Sequence, residues 1–273
     1  MSKLCGSHVH TRFTKIVAKC CRKHTGWPCS QRVSLQSADG AGFGAVCSER
    51  ALHAVQHILR TQSAPSDTAA VVVEPIQGEG GIVIPPDDFL PRLQALCHEH
   101  GILLVLDEVQ SGAGRTGVCT RLWPVVYCTA SGALNHTRRT SCVTSGARAG
   151  KWWAHEHVEG VRPDMVLFAK GIGSGFPVAG VAASPALLTR MTPGMLGGTY
   201  GGGSLASAAV HATIGVIESE GLLRNASERG RQLRDGLEAM RRRHASWPVR
   251  DVRGRGLMCA IEFEGPASVA SKV

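Results

Sequence analysis

The stretch ILLVLDEVQSGAGRTG, residues 102–117, begins as an unbroken apolar run and ends in acidic, amide and glycine residues. A short run rich in branched apolar residues is typical of a strand buried on both faces of a parallel sheet, and it predicts a strand over 102–109. The run delivers Asp107 at its carboxyl end. Open α/β sheets bind their ligands at that end, so this stretch predicts both a fold class and the place of a site.

Similar runs precede and follow it, namely AVVVEPI (70–76), MVLFAK (165–170) and AGVAAS (179–184). Helical spacing predicts helices between and after them: one capped by Ser48, one capped by Asp87 or Asp88 and stopped by Gly101, one opened by Ser184-Pro185, and two over 205–223 and 225–244. VRDVRGRGLMCAIEFE (249–264) predicts a strand pair that starts a new unit. Alternating strands and helices predict an α/β fold with a largely parallel, doubly wound sheet.

Charge and cysteine are unevenly distributed. Residues 1–46 hold seven Lys/Arg and one acid, and residues 118–150 hold four Arg and no acid, so these segments carry +6 and +4 and the rest of the chain carries −1 of the net charge of +9. We therefore expect neither a nucleic-acid nor a membrane partner, and no apolar run reaches the eighteen or so residues of a spanning helix. Seven of the ten cysteines lie in the same segments. Cys47, Cys97 and Cys259 show no paired spacing and are expected to be reduced structural thiols.

Asp107 and Lys170 are charged residues at the ends of apolar strands. Such charges are costly unless they are paired, so two interpretations stay open. They form a mutual salt bridge or local hydrogen bonds at the sheet edge, or each holds a different part of one cofactor. Pyridoxal phosphate requires a lysine for its Schiff base and an acid for its pyridine nitrogen.

Four motifs carry a family resemblance: VVVEPIQGEGG, LLVLDEVQSGAGRTG, DMVLFAKGIGSGFPVAG and GGTYGG, in this order. They resemble the class III (ω-amino acid) aminotransferases, such as the 4-aminobutyrate, acetylornithine and alanine-glyoxylate enzymes. The resemblance implies a fold-type-I pyridoxal phosphate transferase. Its large domain would cover 47–245, interrupted at 118–150, and a small α+β domain would begin at 246–273. Residues 1–46 match neither domain.

The resemblance also assigns cofactor contacts. Lys170 becomes the Schiff-base lysine and then the general base and acid of the proton shift. Asp107 pairs with the protonated pyridine nitrogen, and Gln110 lies over the ring hydroxyl. Thr199 donates to the cofactor phosphate, in this family usually across a homodimer interface.

Glu79 matches the residue that in related enzymes engages an arginine and lets one site accept both amino and oxo substrates; the alternative is a solvated loop carboxylate. Glu74 is interpreted as structural. The implied reaction transfers an amino group from an ω-amino compound or amino acid, such as 4-aminobutyrate, an ornithine-type donor or alanine, to a 2-oxo acid.

Two other functions are compatible with parts of the sequence. A catalytically incompetent fragment is one alternative, because residues 1–46 show neither the phosphate loop nor the stacking aromatic of the family, and the substrate-carboxylate arginine is expected beyond residue 273. A dinucleotide-binding oxidoreductase, suggested by GAGRTG (112–117), is the distant alternative. The pairs His98/His100 and His155/His157 are interpreted as satisfied surface histidines rather than metal ligands.

The spacing between the two strand ends is unusual. Family members place the lysine about thirty residues after the aspartate, whereas Asp107 and Lys170 are 63 apart; removing the thirty-three residues 118–150 restores the spacing and gives the join GRTGKWWAHEH. The segment is either a translated intron or a real surface insertion, since long loops cost little in closure entropy. Residues 1–46 are either a transit peptide, implying a mitochondrial or other organelle matrix instead of the cytoplasm, or wrongly joined sequence.

Overall fold

A computed structural model describes residues 41–117, 151–192, 195 and 201–264, with side chains from residue 47 onward. Its helices are α1 Ala41–Thr61, α2 Phe89–Glu99, α3 Pro185–Leu188, α4 Ser204–Ser219 and α5 Leu222–Arg243. Its strands are β1 Ala70–Val73, β2 Leu103–Asp107, β3 Met165–Ala169, β4 Ala179–Ala183, β5 Val249–Arg255 and β6 Met258–Phe263. Short 3-10 helices cover Pro65–Asp67, Ala154–His157 and Lys170–Gly173.

The first four strands form one sheet in the order β1-β2-β3-β4. The first three are parallel, with Val72 opposite Val105 and Val105 opposite Met165, while β4 runs antiparallel to β3. The predicted α/β class with a mostly parallel sheet is confirmed. Because parallel strands end at one edge, the residues that follow β1, β2 and β3 are brought to the same side of the molecule.

Helices α1 and α2 cover β1 and β2 to form the larger core. Leu104 and Leu106 in β2 are fully buried there. Burying a leucine side chain contributes roughly 1.5–3 kcal/mol, which explains why these short strands persist. A second cluster surrounds Trp153 and Phe168, whose ring centroids are 5.9 Å apart.

Two predicted helix caps differ from the structure. Ser48 lies inside α1 rather than at its start, and its hydroxyl donates to Asp88 Oδ1 at 2.6 Å. Asp88 does precede α2, but its carboxylate makes no capping hydrogen bond because it binds Ser48 and Arg92 instead. The predicted stop at Gly101 is confirmed, since this glycine has φ +66°, which a residue without a side chain adopts freely.

The predicted strand pair at the C-terminal end of the described chain is confirmed as the antiparallel hairpin β5–β6. Helix α5 packs on this hairpin through glycines: a Cβ on Gly230 would lie 2.0 Å from the carbonyl oxygen of Gly256. Cys47, Cys97 and Cys259 are reduced, as predicted. In the described residues we found no helix with the length and apolarity needed to cross a bilayer.

Candidate active site

Asp107 and Lys170 lie at the carboxyl ends of adjacent parallel strands. Asp107 is the last residue of β2 and is opposite Leu167, and Lys170 follows β3 three residues later. The Asp107 carboxylate is half-buried and accepts a hydrogen bond from Val109 N–H at 3.1 Å, while Lys170 is exposed. No ion pair joins the two residues in the described structure, so the mutual salt bridge considered from the sequence is wrong. The local hydrogen bond at Asp107 is present.

Strained backbone gathers around this strand edge. Lys170 has φ +48°, and the other described non-glycine residues with positive φ are Ile82, Ala113 and Ser174. This left-handed region costs a side-chain-bearing residue roughly 1–3 kcal/mol. Ile82, Ala113 and Lys170 line one cavity of about 520 Å³. Strain concentrated at a cavity is typical of functional sites, where the surrounding fold imposes a geometry that the local chain disfavours.

Gln110 and Glu79 come from different loops and meet at the site. Gln110 Nε2 donates to Glu79 Oε1 at 3.4 Å. Glu79 is exposed, as the solvated alternative predicts, but it is also in contact with a second predicted site residue. The close approach depends on Gly78, because a Cβ there would lie 2.5 Å from Gln110 Oε1.

Glu74 leaves the end of β1 and belongs to the same group. Its Oε2 accepts a hydrogen bond from Gly78 N–H at 2.5 Å, which supports the structural interpretation of this residue. Burial raises the pKa of Glu74 above its ordinary value, and the nearby carboxylates of Asp107 and Glu79 raise it further. The Gly78 N–H and Lys170 lower it, but by less. The carboxyl is therefore within electrostatic range of three predicted site residues.

Glu108, the residue after Asp107, was not identified from the sequence. Its side chain is 1% exposed, and its carboxylate receives hydrogen bonds from Ser111, Ala154 and His155. His155 Nδ1 adds a further contact at 2.8 Å. The prediction that His155 lies at the surface is therefore wrong, although its ring is satisfied. The alternation of strand side chains, which places Glu108 opposite Asp107, was the available signal.

Arg253 in β5 was also missed. Its Nε and Nη2 donate to the carbonyl of Gly81 at 2.9 and 2.6 Å, and its Nη1 contacts Asp251 at 3.0 Å and Glu262 at 2.6 Å. The guanidinium thereby ties the loop that carries Glu79 to the C-terminal hairpin. Sequence spacing gives no signal for this contact, since the two partners are 172 positions apart.

Thr199, the predicted phosphate ligand, lies outside the described residues. Exposed His98 and His100 are placed as predicted, on and just after α2. His157 is partly buried, and its Nε2 is 3.2 Å from Thr116 Oγ1.

A family model described as aminotransferase class-III matches residues 9–128 and 142–273. The chain belongs to the class III aminotransferases. The resemblance inferred from the four motifs is confirmed, and GAGRTG is part of an aminotransferase rather than of a dinucleotide-binding oxidoreductase. The interval left unmatched by the family model, 129–141, lies within 118–150, and the match begins inside 1–46.

Curated relatives support this assignment. The 4-aminobutyrate aminotransferase GabT of Escherichia coli strain K12 is 39% identical over 218 residues, covering 80% of this chain and 43% of the relative. The 5-aminovalerate aminotransferase DavT of Pseudomonas aeruginosa is 38% identical over 221 residues, covering 81% of this chain and 43% of the relative. The chain therefore spans less than half the length of these relatives.

Solved transaminases share the fold. An (S)-enantioselective omega-transaminase from Thermomicrobium roseum matches with a TM-score of 0.63 and 29% identity, over 83% of this chain and 43% of that one. The taurine:2-oxoglutarate aminotransferase from Bifidobacterium kashiwanohense, solved with PLP and glutamate, matches with a TM-score of 0.66 and 26% identity, over 87% of this chain and 48% of that one.

Proposed function

We propose that this chain is the core of a pyridoxal-phosphate-dependent transaminase that moves an amino group from an ω-amino compound or amino acid to a 2-oxo acid. The observation that carries the proposal is the placement of Lys170 and Asp107 at neighbouring strand ends without an ion pair between them. An amine and a carboxylate at neighbouring strand ends that form no ion pair with each other are available for a third group.

The donor set fits pyridoxal phosphate. The cofactor needs an amine for its aldehyde and an anion for its pyridine nitrogen, and Lys170 and Asp107 offer these. Because Val109 N–H donates to Oδ1 of Asp107, the other carboxylate oxygen is left to accept from the cofactor. Gln110 would lie beside the ring hydroxyl, and Thr199 would hold the phosphate. When bound, pyridoxal phosphate supplies an electron sink.

Proton movement is assigned to Lys170. Its side chain is exposed at the cavity and makes no ion pair in the described residues, so no other side chain competes for the amine that would carry a proton between two substrate atoms. The strained backbone at Lys170 fixes the direction in which the side chain leaves β3. Asp107, assigned to the pyridine nitrogen, takes no part in the proton transfer.

The amino donor is proposed from the relatives. Enzymes named for 4-aminobutyrate, 5-aminovalerate and ornithine transfer are among those similar to the chain, and alanine is also a candidate donor. Glu79 is proposed as the residue that engages an arginine and adapts the site to both substrates of the reaction. A donor screen on a version of the protein that spans the full length of the family would test this assignment. Activity with none of 4-aminobutyrate, 5-aminovalerate, ornithine and alanine would contradict the assignment.

A homodimer is proposed on the basis of α4. This helix is apolar on most of its surface, yet Ile217 is its one buried residue, and Leu205 and Val216 are 73% and 46% exposed. A helix that is apolar all round is normally covered. Light scattering of wild-type protein and a Leu205→Asp variant tests this, and a wild-type monomer would contradict it.

We also propose an organelle matrix, mitochondrial or other, rather than the cytoplasm. Imaging of residues 1–46 fused to a fluorescent protein tests that localisation.

Cofactor uptake is the direct test of the proposal. The purified chain with excess pyridoxal phosphate should gain visible absorbance, and borohydride should fix the cofactor on Lys170, as peptide mass spectrometry would detect. Lys170→Ala should lose both signals. Lys170→Arg, the matched control, keeps the positive charge but cannot be modified in this way. A colourless wild-type chain would favour the alternative of a fragment without cofactor affinity.

A further inference from the structure

Glu108 occupies the junction between the two halves of the site. Its backbone N–H donates to Leu167 of β3 at 3.0 Å, which attaches the end of β2 to the strand that leads to Lys170. Its carbonyl accepts from Gly112 N–H at 2.9 Å, closing the turn that contains Gln110. One residue therefore fixes the backbone on both sides of the predicted cofactor contacts.

The Glu108 side chain adds a third attachment. Oε1 accepts from the backbone N–H and the ring Nδ1 of His155 at 2.9 and 2.8 Å. Oε2 accepts from Ser111 Oγ at 2.5 Å and from Ala154 N–H at 3.0 Å. Each oxygen has two donors, so the buried carboxylate is fully satisfied. These donors come from the turn after β2 and from the 3-10 helix Ala154–His157, on the far side of residues 118–150.

A fully buried carboxylate is an expensive way to hold two segments together, because an apolar side chain of similar size avoids the desolvation cost. What the charge adds is direction, since four donors must converge on two oxygens within hydrogen-bond distance. Burial raises the pKa of Glu108. The ring of His155, through its hydrogen bond and its charge, lowers the pKa again, and so do the hydrogen bonds from Ser111 and from the backbone N–H of His155. Together these contacts outweigh burial, so the pKa lies below its ordinary value. The acceptor form is thereby maintained.

We propose that Glu108, held by His155, is a positioning residue for the transaminase reaction: the pair sets the backbone geometry from which Asp107 and Gln110 contact the cofactor. The proposal rests on the function proposed above. Glu108 is 1% exposed and touches neither cavity nor solvent, so it takes no part in proton transfer itself. Its effect reaches the site through the adjacent peptide bond and the turn to Gly112.

The test compares pyridoxal phosphate binding and visible circular dichroism in four variants of the purified chain. Glu108→Gln replaces one of the two acceptor oxygens with an amide NH2 group, which cannot accept a hydrogen bond from the backbone N–H that faces it. His155→Leu removes the ring donor. His155→Asn keeps a neutral donor near the position of Nδ1. Leu93→Ala, in the core between α2 and the sheet, is the matched control for lost stability, because Leu93 is 1% exposed and distant from the site.

We expect Glu108→Gln and His155→Leu to weaken cofactor affinity about tenfold or more, by analogy with the partners that orient metal ligands. The dichroism of bound cofactor should fall with them, because it reports how the ring is oriented. His155→Asn should recover most of both signals. Leu93→Ala should lower the melting temperature with wild-type affinity and dichroism. Wild-type affinity and dichroism in Glu108→Gln and His155→Leu would overturn the proposal and leave only a structural role.

Hydrogen exchange separates this proposal from the proposed function. If the wild-type chain takes up no cofactor, the proposed function fails, and exchange of the amides from Val109 to Gly112 decides the positioning role. Faster exchange there in Glu108→Gln than in an equally destabilised Leu93→Ala supports it, and equal exchange overturns it. If Glu108→Gln does not fold, Ser111→Ala, which removes one of the four donors, replaces it in both comparisons.

Discussion

Thr116 and His157 are 41 positions apart, yet the Thr116 hydroxyl is 3.2 Å from His157 Nε2. Nearby, Gly114 N–H donates to the carbonyl of Trp152 at 3.0 Å. Residues 114–116 and 152–157, which precede and follow 118–150 in the sequence, are therefore in contact. Contacts among described residues hold both ends, and none of those contacts requires residues 118–150.

Deleting residues 118–150 should therefore preserve the fold. Joining Gly117 to Lys151 removes thirty-three residues, and closing a flexible segment of that length costs up to about 3 kcal/mol by the (3/2)RT ln n relation, so the shortened chain should be as stable as the full chain or more so. Urea unfolding followed by circular dichroism measures the difference. A Gly/Ser linker of equal length is the control that separates length from sequence. If the deletion variant is insoluble while the linker variant is soluble, a connection of this length is required and the prediction is wrong. Sequencing the transcript across Gly117 and Lys151 would distinguish an intron from a translated insertion.

His157 should make stability fall in acid. Burial, followed by the positive charges of Arg255 and Lys151, lowers its pKa from 6.5 to about 4. The unfolded chain then binds more protons between these values, so the contribution of neutral His157 is complete above about pH 6.5 and is lost as the pH falls toward 4. The loss is at most about 3 kcal/mol, from 1.36 kcal/mol per pKa unit. Urea unfolding at neutral pH and at about pH 4.5 should show a smaller decrease for His157→Gln than for wild type. Exposed His98, changed to Gln, should behave as wild type; parallel decreases in all three proteins would refute the assignment.

The same substitution should have opposite effects at two positions of α5. Ala at Gly230 would place its Cβ 2.0 Å from the Gly256 carbonyl oxygen, whereas Ala at Gly236 meets nothing within 4 Å. Gly236→Ala should stabilise the protein by about 0.5–1 kcal/mol through helix propensity. Gly230→Ala should destabilise it by about 1–3 kcal/mol, because the hairpin must move away from the helix. Thermal unfolding of the two variants provides the comparison, and stabilisation by both would show that α5 does not pack on the hairpin.

Arg253→Met should release the loop that carries Glu79. The guanidinium is 16% exposed, and removing it leaves Asp251, Glu262 and the Gly81 carbonyl without their shared donor. Loss of one partner from such a buried group costs about 3–5 kcal/mol, reduced here by the partial exposure of the acids. Hydrogen exchange should accelerate in residues 77–83 but not in α1. Exposed Arg242, changed to Met, is the control, and an unchanged rate in 77–83 would show that the loop is held by other contacts.

The strands and their end residues were predictable because they depend on local composition. Each of these strands is a short apolar run that leads into a charged residue: AVVV into Glu74, LLVL into Asp107 and MVLFA into Lys170. The sheet aligns the ends of these runs as parallel pairing requires. Their predicted limits were too long by one to three residues, since pairing stops where the chain turns toward the cavity. Gly101 was predictable for the same local reason.

Contacts between distant segments were not predictable from the sequence. Ser48 resembles a helix cap until α2 brings Asp88 beside it. His155 resembles a surface histidine in the sequence, but in the fold its ring contacts Glu108. Arg253 in turn depends on a hairpin reaching the loop before α2. In each case a polar residue satisfies a partner 40 or more positions away, and spacing along the chain carries no record of that partner.

The left-handed backbone at Ile82, Ala113, Lys170 and Ser174 sets stability against function. Glycine adopts this conformation without steric cost, so the exposed positions Lys170 and Ser174 would gain stability by losing their side chains. A laboratory selection for heat resistance alone would therefore accept glycine at Lys170 and erase the amine on which the proposed chemistry depends. Any thermostabilised version of this protein must be selected with the proposed activity as a second requirement.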